Sequence, residues 1–378
     1  MATSENELKY WLAFSRIQRV GAVRAGMLES CFGSMESAWQ ASGAELGAAG
    51  LDRGTVNSIV ESRLKIDPDT ELERLEKAGI RAFTWNDPEY PERLRQIDDR
   101  PPVLYVRGEL LPEDEWAVAV VGTRRATPYG RQAAEQFSSD LAAHQITIVS
   151  GLARGIDAVA HRSALNAGGR TLAVMACGLD VVYPPEHVKL AVEIAQHGAV
   201  VSDYPIGTQP RSEYFPRRNR ILSGLSLGVL VGVLVVEGDV DSGSLITARV
   251  ALDQNREVFA VPGSIYSPTY RGANKLIQDG EAKLVMRASD ILEELNLTMV
   301  SHQMELREVA PADATEAALL RVLSAQPTHN DDVQRASGLP IAAVSGALAL
   351  LELKGAVKQV GPMSFVRARE TVARYTAG

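Results

Sequence analysis

Between Ala117 and Met286, apolar runs of strand length alternate with helical stretches, and this rhythm narrows the fold more than any other property of the chain. The strand signals are Ala117–Val121, Ile146–Val149, Thr171–Met175, Ala199–Ser202, Gly228–Val236, Val258–Val261 and Lys283–Met286. Helix signals fall between them at Tyr129–Ala143, Asp157–Asn166, Val188–Gln196, Asn219–Leu225, Ser244–Asp253 and Asn274–Asp279. Continuous apolar strands separated by helices require a mostly parallel sheet covered on both faces, an α/β, Rossmann-like core. Such sheets bind ligands beyond the carboxyl ends of their strands. Gly122-Thr123-Arg124, Ser150 to Gly155 and Glu237 to Gly243 all follow strand signals, so they should share that rim.

The flanks lose the rhythm. At 378 residues the chain is too long for one ordinary core. Residues 1–66 read as short helices punctuated by Gly21, Gly26, Gly33, Gly50 and Gly54, a helix-hairpin-helix pattern read here as a packing unit. The α/β core takes 67–296, entered through a connector at Pro68 to Pro102 with a helix at Thr70–Ala78, a strand at Ile80–Trp85 and proline-rich turns. A linker at 297–314 leads to a final unit, 315–378, of three helices and a hairpin, the order of a winged helix. Its third helix starts Pro340-Ile341-Ala342-Ala343-Val344-Ser345, residues that cannot make bidentate contacts to base edges. Sequence-specific duplex reading is therefore not expected of it.

An apolar content of 46% and a charged content of 23% are those of a soluble globular protein. No apolar run spans a bilayer, and the N-terminus lacks the basic start and apolar core of a signal peptide, so no membrane partner and a cytoplasmic location are expected. The two cysteines, Cys31 and Cys177, form no metal-ligand spacing, and no metal is expected. A net charge of −8 excludes a uniformly basic nucleic-acid coat, but leaves room for a local basic pocket.

Two polar segments carry the chemistry. Ser150-Gly151-Leu152-Ala153-Arg154-Gly155 joins a strand to a helix, and a glycine-rich turn there exposes N–H groups to an anion. Phe215-Pro216-Arg217-Arg218-Asn219-Arg220, read as a second turn, concentrates three arginines whose forks fit phosphate oxygens. With Arg124 and Arg154 they would line one rim beside Tyr214 and Phe215, a groove suited to a single strand of nucleic acid. A free nucleotide is the main competitor. Catalysis has little support: Asp157 and His161 share a helix face, but the carboxylate suits a helix N-terminus and the imidazole a packed position. No G-x-S-x-G, H-E-x-x-H, Walker or G-x-G-x-x-G sequence is present, so no catalytic residue and no nicotinamide, flavin or other cofactor is expected.

Six segments in order carry a resemblance: VGTRRATPYG (Val121 to Gly130), SGLARGIDAVAH (Ser150 to His161), GLDVVYPPEH (Gly178 to His187), FPRRNRILSGLS (Phe215 to Ser226), SGSLITAR (Ser242 to Arg249) and REVFAVPGS (Arg256 to Ser264). With them the chain closely resembles the bacterial DNA-processing family DprA, also called Smf, over essentially its whole length. The resemblance implies an extended Rossmann-like core, a SAM-like N-terminal helical domain and a C-terminal winged helix. It implies a non-enzymatic homodimer that protects incoming single-stranded DNA during natural transformation and loads the RecA recombinase onto it. Arg124, Ser150, Gly151, Arg154, Gly155, Phe215, Arg217, Arg218, Asn219 and Arg220 would hold the DNA, with hydroxyl contacts from Ser242 and Ser244. A nucleotide-binding or nucleotide-hydrolysing protein of related fold is the alternative, and the absence of a P-G-G-x-G-T-x-x-E run counts against it. Three departures stand out. Pro185 stands where the family often has a basic residue, with Lys189 one turn on as a substitute. Gly228–Val231 is nearly repeated at Gly232–Val235, predicting a bulge or an extra turn at Gly232. Glu281 is inserted between Gly280 and Ala282.

Overall fold

The computed structural model describes residues 3–226, 232–294, 314–323, 328–353, 357–361 and 363–367. The chain divides into two compact units, Met1–Leu295 and Asn296–Gly378.

The first unit is built on a nine-stranded sheet of order β1-β2-β6-β5-β4-β3-β7-β8-β9. Its parallel part comprises β3 (Ala117–Gly122), β4 (Thr147–Ser150), β5 (Thr171–Val174), β6 (Ala199–Ser202), β7 (Val233–Glu237), β8 (Val258–Ala260) and β9 (Lys283–Leu284). Each lies within a run expected to be a strand or one residue beyond it. The sheet has one strand more than expected, just beyond the connector. Besides β1 (Arg81–Thr84), β2 (Val103–Gly108) pairs antiparallel with both β1 and β6. A proline pair, Pro101-Pro102, directly precedes β2, and the strand gains its order from its neighbours rather than from local signals.

Alternation along the strands explains the two covered faces. In β3, Val118 and Val120 enter the apolar layer beneath α8 (Pro128–Ala143) and α9 (Ile156–Asn166). Ala117, Ala119 and Val121 face the opposite layer, with α11 (Tyr214–Leu225) and α12 (Gly243–Asp253). β7 alternates likewise, Leu234 and Val236 against Val233 and Val235. A register shift occurs in this strand at Val236, where Val121↔Val235 is followed by Gly122↔Glu237. Gly232 answers to a different constraint: a β-carbon there would lie 2.5 Å from the Glu257 carbonyl oxygen. The first copy of the repeat, Gly228–Val231, lies outside the described residues, as does the linker up to residue 313.

The topology sets the site. From β3 the chain runs through β4 and β5 to β6 on one side, then returns to place β7 on the other side of β3. Loops leaving β3 and β7 therefore diverge to opposite faces, opening the crevice that doubly wound sheets use for ligands.

The N-terminal helices run Glu5–Ser15, Ala22–Phe32, Met35–Gln40, Gly43–Ala48 and Arg53–Arg63. Trp11 and Phe14 of the first belong to the same apolar cluster as β2, and Ser15 Oγ meets Tyr105 Oη at 2.8 Å. The second unit contains helices Ala314–Val322, Asn330–Ser337 and Ile341–Leu353 and a three-stranded sheet, β10 (Thr328–His329), β12 (Ser364–Arg367) and β11 (Val357–Gly361). This is a winged helix, with the two-residue β10 added to the expected hairpin. Ser345 on its third helix accepts a hydrogen bond from Asn330 Nδ2 at 3.1 Å. Among the described residues no helix is long and apolar enough to cross a membrane.

Candidate functional site

A cleft of about 350 Å³ opens at the carboxyl ends of β3 and β7. The end of β3 and the loop after it supply Gly122, Thr123, Arg124 and Arg125; the turn after β4 supplies Ala153 and the first turn of α9 Asp157; α11 supplies Phe215, Arg218, Asn219 and Leu222; the start of α12 supplies Ser242, Gly243, Ser244 and Thr247.

Phe215 to Arg220, expected as a turn, is the start of α11, which begins at Tyr214. Helical spacing then sorts its residues. Phe215, Arg218, Asn219 and Leu222 stand at i, i+3, i+4 and i+7 and face the cleft together. Arg217 is left exposed. Arg220 points elsewhere, pairing with the Asp203 carboxylate and lying 3.5 Å from Asp99. That spacing is present in the sequence, and a helical reading of it separates these roles.

Arg218 is the buried cation of the cleft, 4% exposed. Its Nη1 donates to the Val174 carbonyl at 2.7 Å, while Nε has no partner among the described residues. Burial lowers its pKa to about 10, with the Asp157 charge opposing the fall, so it stays protonated at neutral pH. Arg124 is exposed, and its guanidinium lies 5.0 Å from the Phe215 ring centre, a cation–π contact. Tyr183 sits 5.8 Å from Phe215, and Tyr204 stacks on Tyr214 at 4.5 Å.

The expected phosphate cradle at Ser150–Gly155 is already filled by the chain itself. Asp157 accepts from the amides of Ala153, at 3.3 Å, and Gly151. Ile156 N donates to the Thr123 carbonyl. Ser150 is buried, with Oγ donating to the Val120 carbonyl at 2.6 Å. Gly155, at φ +79°, is required by the β3 loop, since a β-carbon would lie 2.2 Å from the Thr123 oxygen. Arg154 is exposed and paired with Glu186. Burial raises the Asp157 carboxyl pKa, a cost that Arg218 and the two amides offset.

The open helix terminus belongs instead to α12. Ser242 and Ser244 bond each other through their hydroxyls at 2.7 Å, and no side chain caps the first turn. Its amides and partial positive charge face the arginines across the cleft. Asn219 Nδ2 donates to the Gly243 carbonyl at 3.4 Å, tying α11 to α12.

Glu237, buried at the end of β7, holds the arginine loop. Its backbone oxygen accepts from Thr123 N at 2.7 Å, and its Oε2 accepts from Thr127 N at 3.0 Å and Thr127 Oγ1 at 3.2 Å. The sequence places Glu237 on the rim and Asp157 at a helix N-terminus, but does not single out either of them, or Arg125, as a residue of the cleft. His161 is fully buried, its ring bonded to Thr171 Oγ1 at 2.6 Å and its pKa pushed down to about 3 by burial. Lys189 is exposed on α10 (Val188–His197) and does not line the cleft.

A doubly wound α/β sheet with an arginine-lined crevice at its switch point, followed by a winged helix, defines the class. The family model described as DNA recombination-mediator protein A matches residues 81–296, and the DprA winged helix domain matches 305–361. The chain belongs to the DprA/Smf family. It is 34% identical to Protein Smf of Synechocystis over 97% of this chain and all of that one, and 42% identical to Protein Smf of Escherichia coli over 74% and 75%. The X-ray structure of DNA processing protein A from Streptococcus pneumoniae superposes with a TM-score of 0.65 at 35% identity, covering 78% of this chain and 99% of that one.

Proposed function

We propose that the cleft binds single-stranded DNA through its phosphates. The observation that carries this reading is the pairing of Arg124, laid over Phe215, with the uncapped start of α12 across the same crevice. Arginines and helix amides take phosphate oxygens, and the flat aromatic surface takes a base. Support comes also from a DNA processing protein A of Helicobacter pylori, 30% identical over 58% of this chain at a TM-score of 0.52, which is described by its single-stranded DNA binding mode.

On this reading the protein acts as a cytoplasmic homodimer without catalysis. It protects incoming single strands during natural transformation and loads RecA onto them. Phosphate contacts should make binding indifferent to sequence and strongly dependent on salt. Binding of labelled single-stranded and duplex oligonucleotides tests the first part. RecA ATPase activity on DNA coated with single-strand-binding protein, with and without this chain, tests the second. Absence of stimulation would remove the loading role while leaving DNA binding intact.

A further inference from the structure

The cleft places its arginines at the carboxyl ends of the strands. A second pair, Arg93 and Arg256, lies at the opposite edge, where Arg256 leads into the amino end of β8. Arg256 is 6% exposed. Its Nη2 donates to the backbone carbonyl of Arg93 at 3.3 Å, and its Nε is buried without a partner. Arg93, half-buried on α7 (Glu92–Arg95), has its Nε buried and unpartnered as well.

Among the described residues neither arginine forms an ion pair. The neighbouring carboxylates are engaged elsewhere or exposed. Glu92 pairs with Arg95, Glu257 shares its surroundings with Lys283 and Glu294, and Glu115, whose charge reaches Arg93, is exposed. Burial and the Arg93 charge together bring the Arg256 pKa down to about 10, so both groups are cationic at neutral pH. Buried cations are ordinarily paired, and two of like sign with bare nitrogens are costly.

The surroundings are fixed. Arg256 N donates to the Ala251 carbonyl at 2.8 Å. Gln254 joins Ser223 Oγ at 2.7 Å and the Arg220 carbonyl at 3.2 Å. Leu94, beside Arg93, lies so close to α11 that a β-carbon at Gly224 would be 2.8 Å from it. Arg256 is therefore held by a backbone contact and packing, while the charge that favours the Arg93 cation comes from the exposed Glu115.

We propose that Arg93 and Arg256 form a second anion site that takes a phosphate-type oxyanion. Two planar forks provide paired N–H donors for such an ion, and their charges match a dianion. The phosphate comes either from the free ion or from the phosphorylated end of a DNA strand.

The test uses the full chain carrying Arg124→Ala, so that the cleft contributes less, compared with Arg93→Gln/Arg124→Ala. Melting is followed in inorganic phosphate and in chloride at equal ionic strength, and in 5′-phosphorylated and 5′-hydroxyl oligonucleotides. Phosphate should raise the melting temperature of the first chain more than that of the second, or the 5′-phosphorylated strand should stabilise the first chain more than the 5′-hydroxyl strand does, an excess that disappears in the second; whichever difference is seen identifies the source. In chloride the Arg93→Gln chain should melt at the same temperature or higher, because removing one of two like charges relieves repulsion. Arg256→Lys keeps charge but loses the fork, and should weaken phosphate binding about tenfold. Equal responses with and without Arg93, or no response to either phosphate source, would overturn the proposal.

Discussion

Arg218 crosses the bare Cα of Gly151 to reach the sheet: a β-carbon at 151 would stand 2.1 Å from its Nη1. The glycine that reads in sequence as a phosphate contact is the opening through which the cleft's buried cation passes. Gly151→Ala should displace that guanidinium, cost about 1–3 kcal/mol of stability through overpacking, and weaken DNA binding. Unchanged oligonucleotide affinity in a folded Gly151→Ala chain would contradict this role.

Arg220 and Arg124 should separate stability from binding. Arg220 is mostly buried and paired with Asp203, whose carboxyl pKa is raised by burial against the opposing effect of that arginine. Arg220→Ala leaves Asp203 without its partner and should cost about 3–5 kcal/mol in denaturant unfolding. Arg124→Ala should leave the melting temperature nearly unchanged while weakening DNA binding.

Glu237 should control binding without touching DNA. Glu237→Ala strands the Thr127 amide, worth about 1–3 kcal/mol of stability, and frees the Arg124–Arg125 loop. Glu237→Gln keeps an oxygen acceptor for Thr127 and should bind DNA more tightly than the alanine variant. Equal affinities for the two would show that the clamp does not position the loop.

The buried His161 predicts an acid sensitivity. Its folded pKa, about 3, lies below the ordinary 6.5, so between these values the unfolded chain takes up a proton that the folded chain refuses. Stability therefore falls as pH drops below about 6.5, by at most about 1.4 kcal/mol per pH unit from this group. His161→Gln should flatten the decline of melting temperature between pH 6.5 and 5. An identical pH profile for both chains would assign the acid sensitivity to other groups.

The sheet was legible because its strands β3 to β8 are buried on both faces and carry their signal as unbroken apolar runs. β2 was not: its pairing with β1 and β6 is a tertiary event, and its flanking prolines read as turn. In the site, Arg124, Phe215, Arg218, Asn219, Ser242 and Ser244 do meet in one cleft. Ser150, Gly151, Arg154, Gly155, Arg217 and Arg220 do not line it. Strand–turn–helix patterns announce an anion-binding terminus, but do not say whether the chain brings its own anion. Asp157 fills the first such terminus, and the second, at α12, is left open.

The most direct measurement is fluorescence anisotropy of a labelled single-stranded oligonucleotide across a salt series, with wild type and Arg124→Ala side by side and a duplex control. Preferential single-strand binding is predicted, weakening with salt. Arg124→Ala should bind less tightly to every sequence and lower the salt slope by about one. A folded Arg124→Ala chain with wild-type affinity and slope would contradict the assignment of the cleft to DNA.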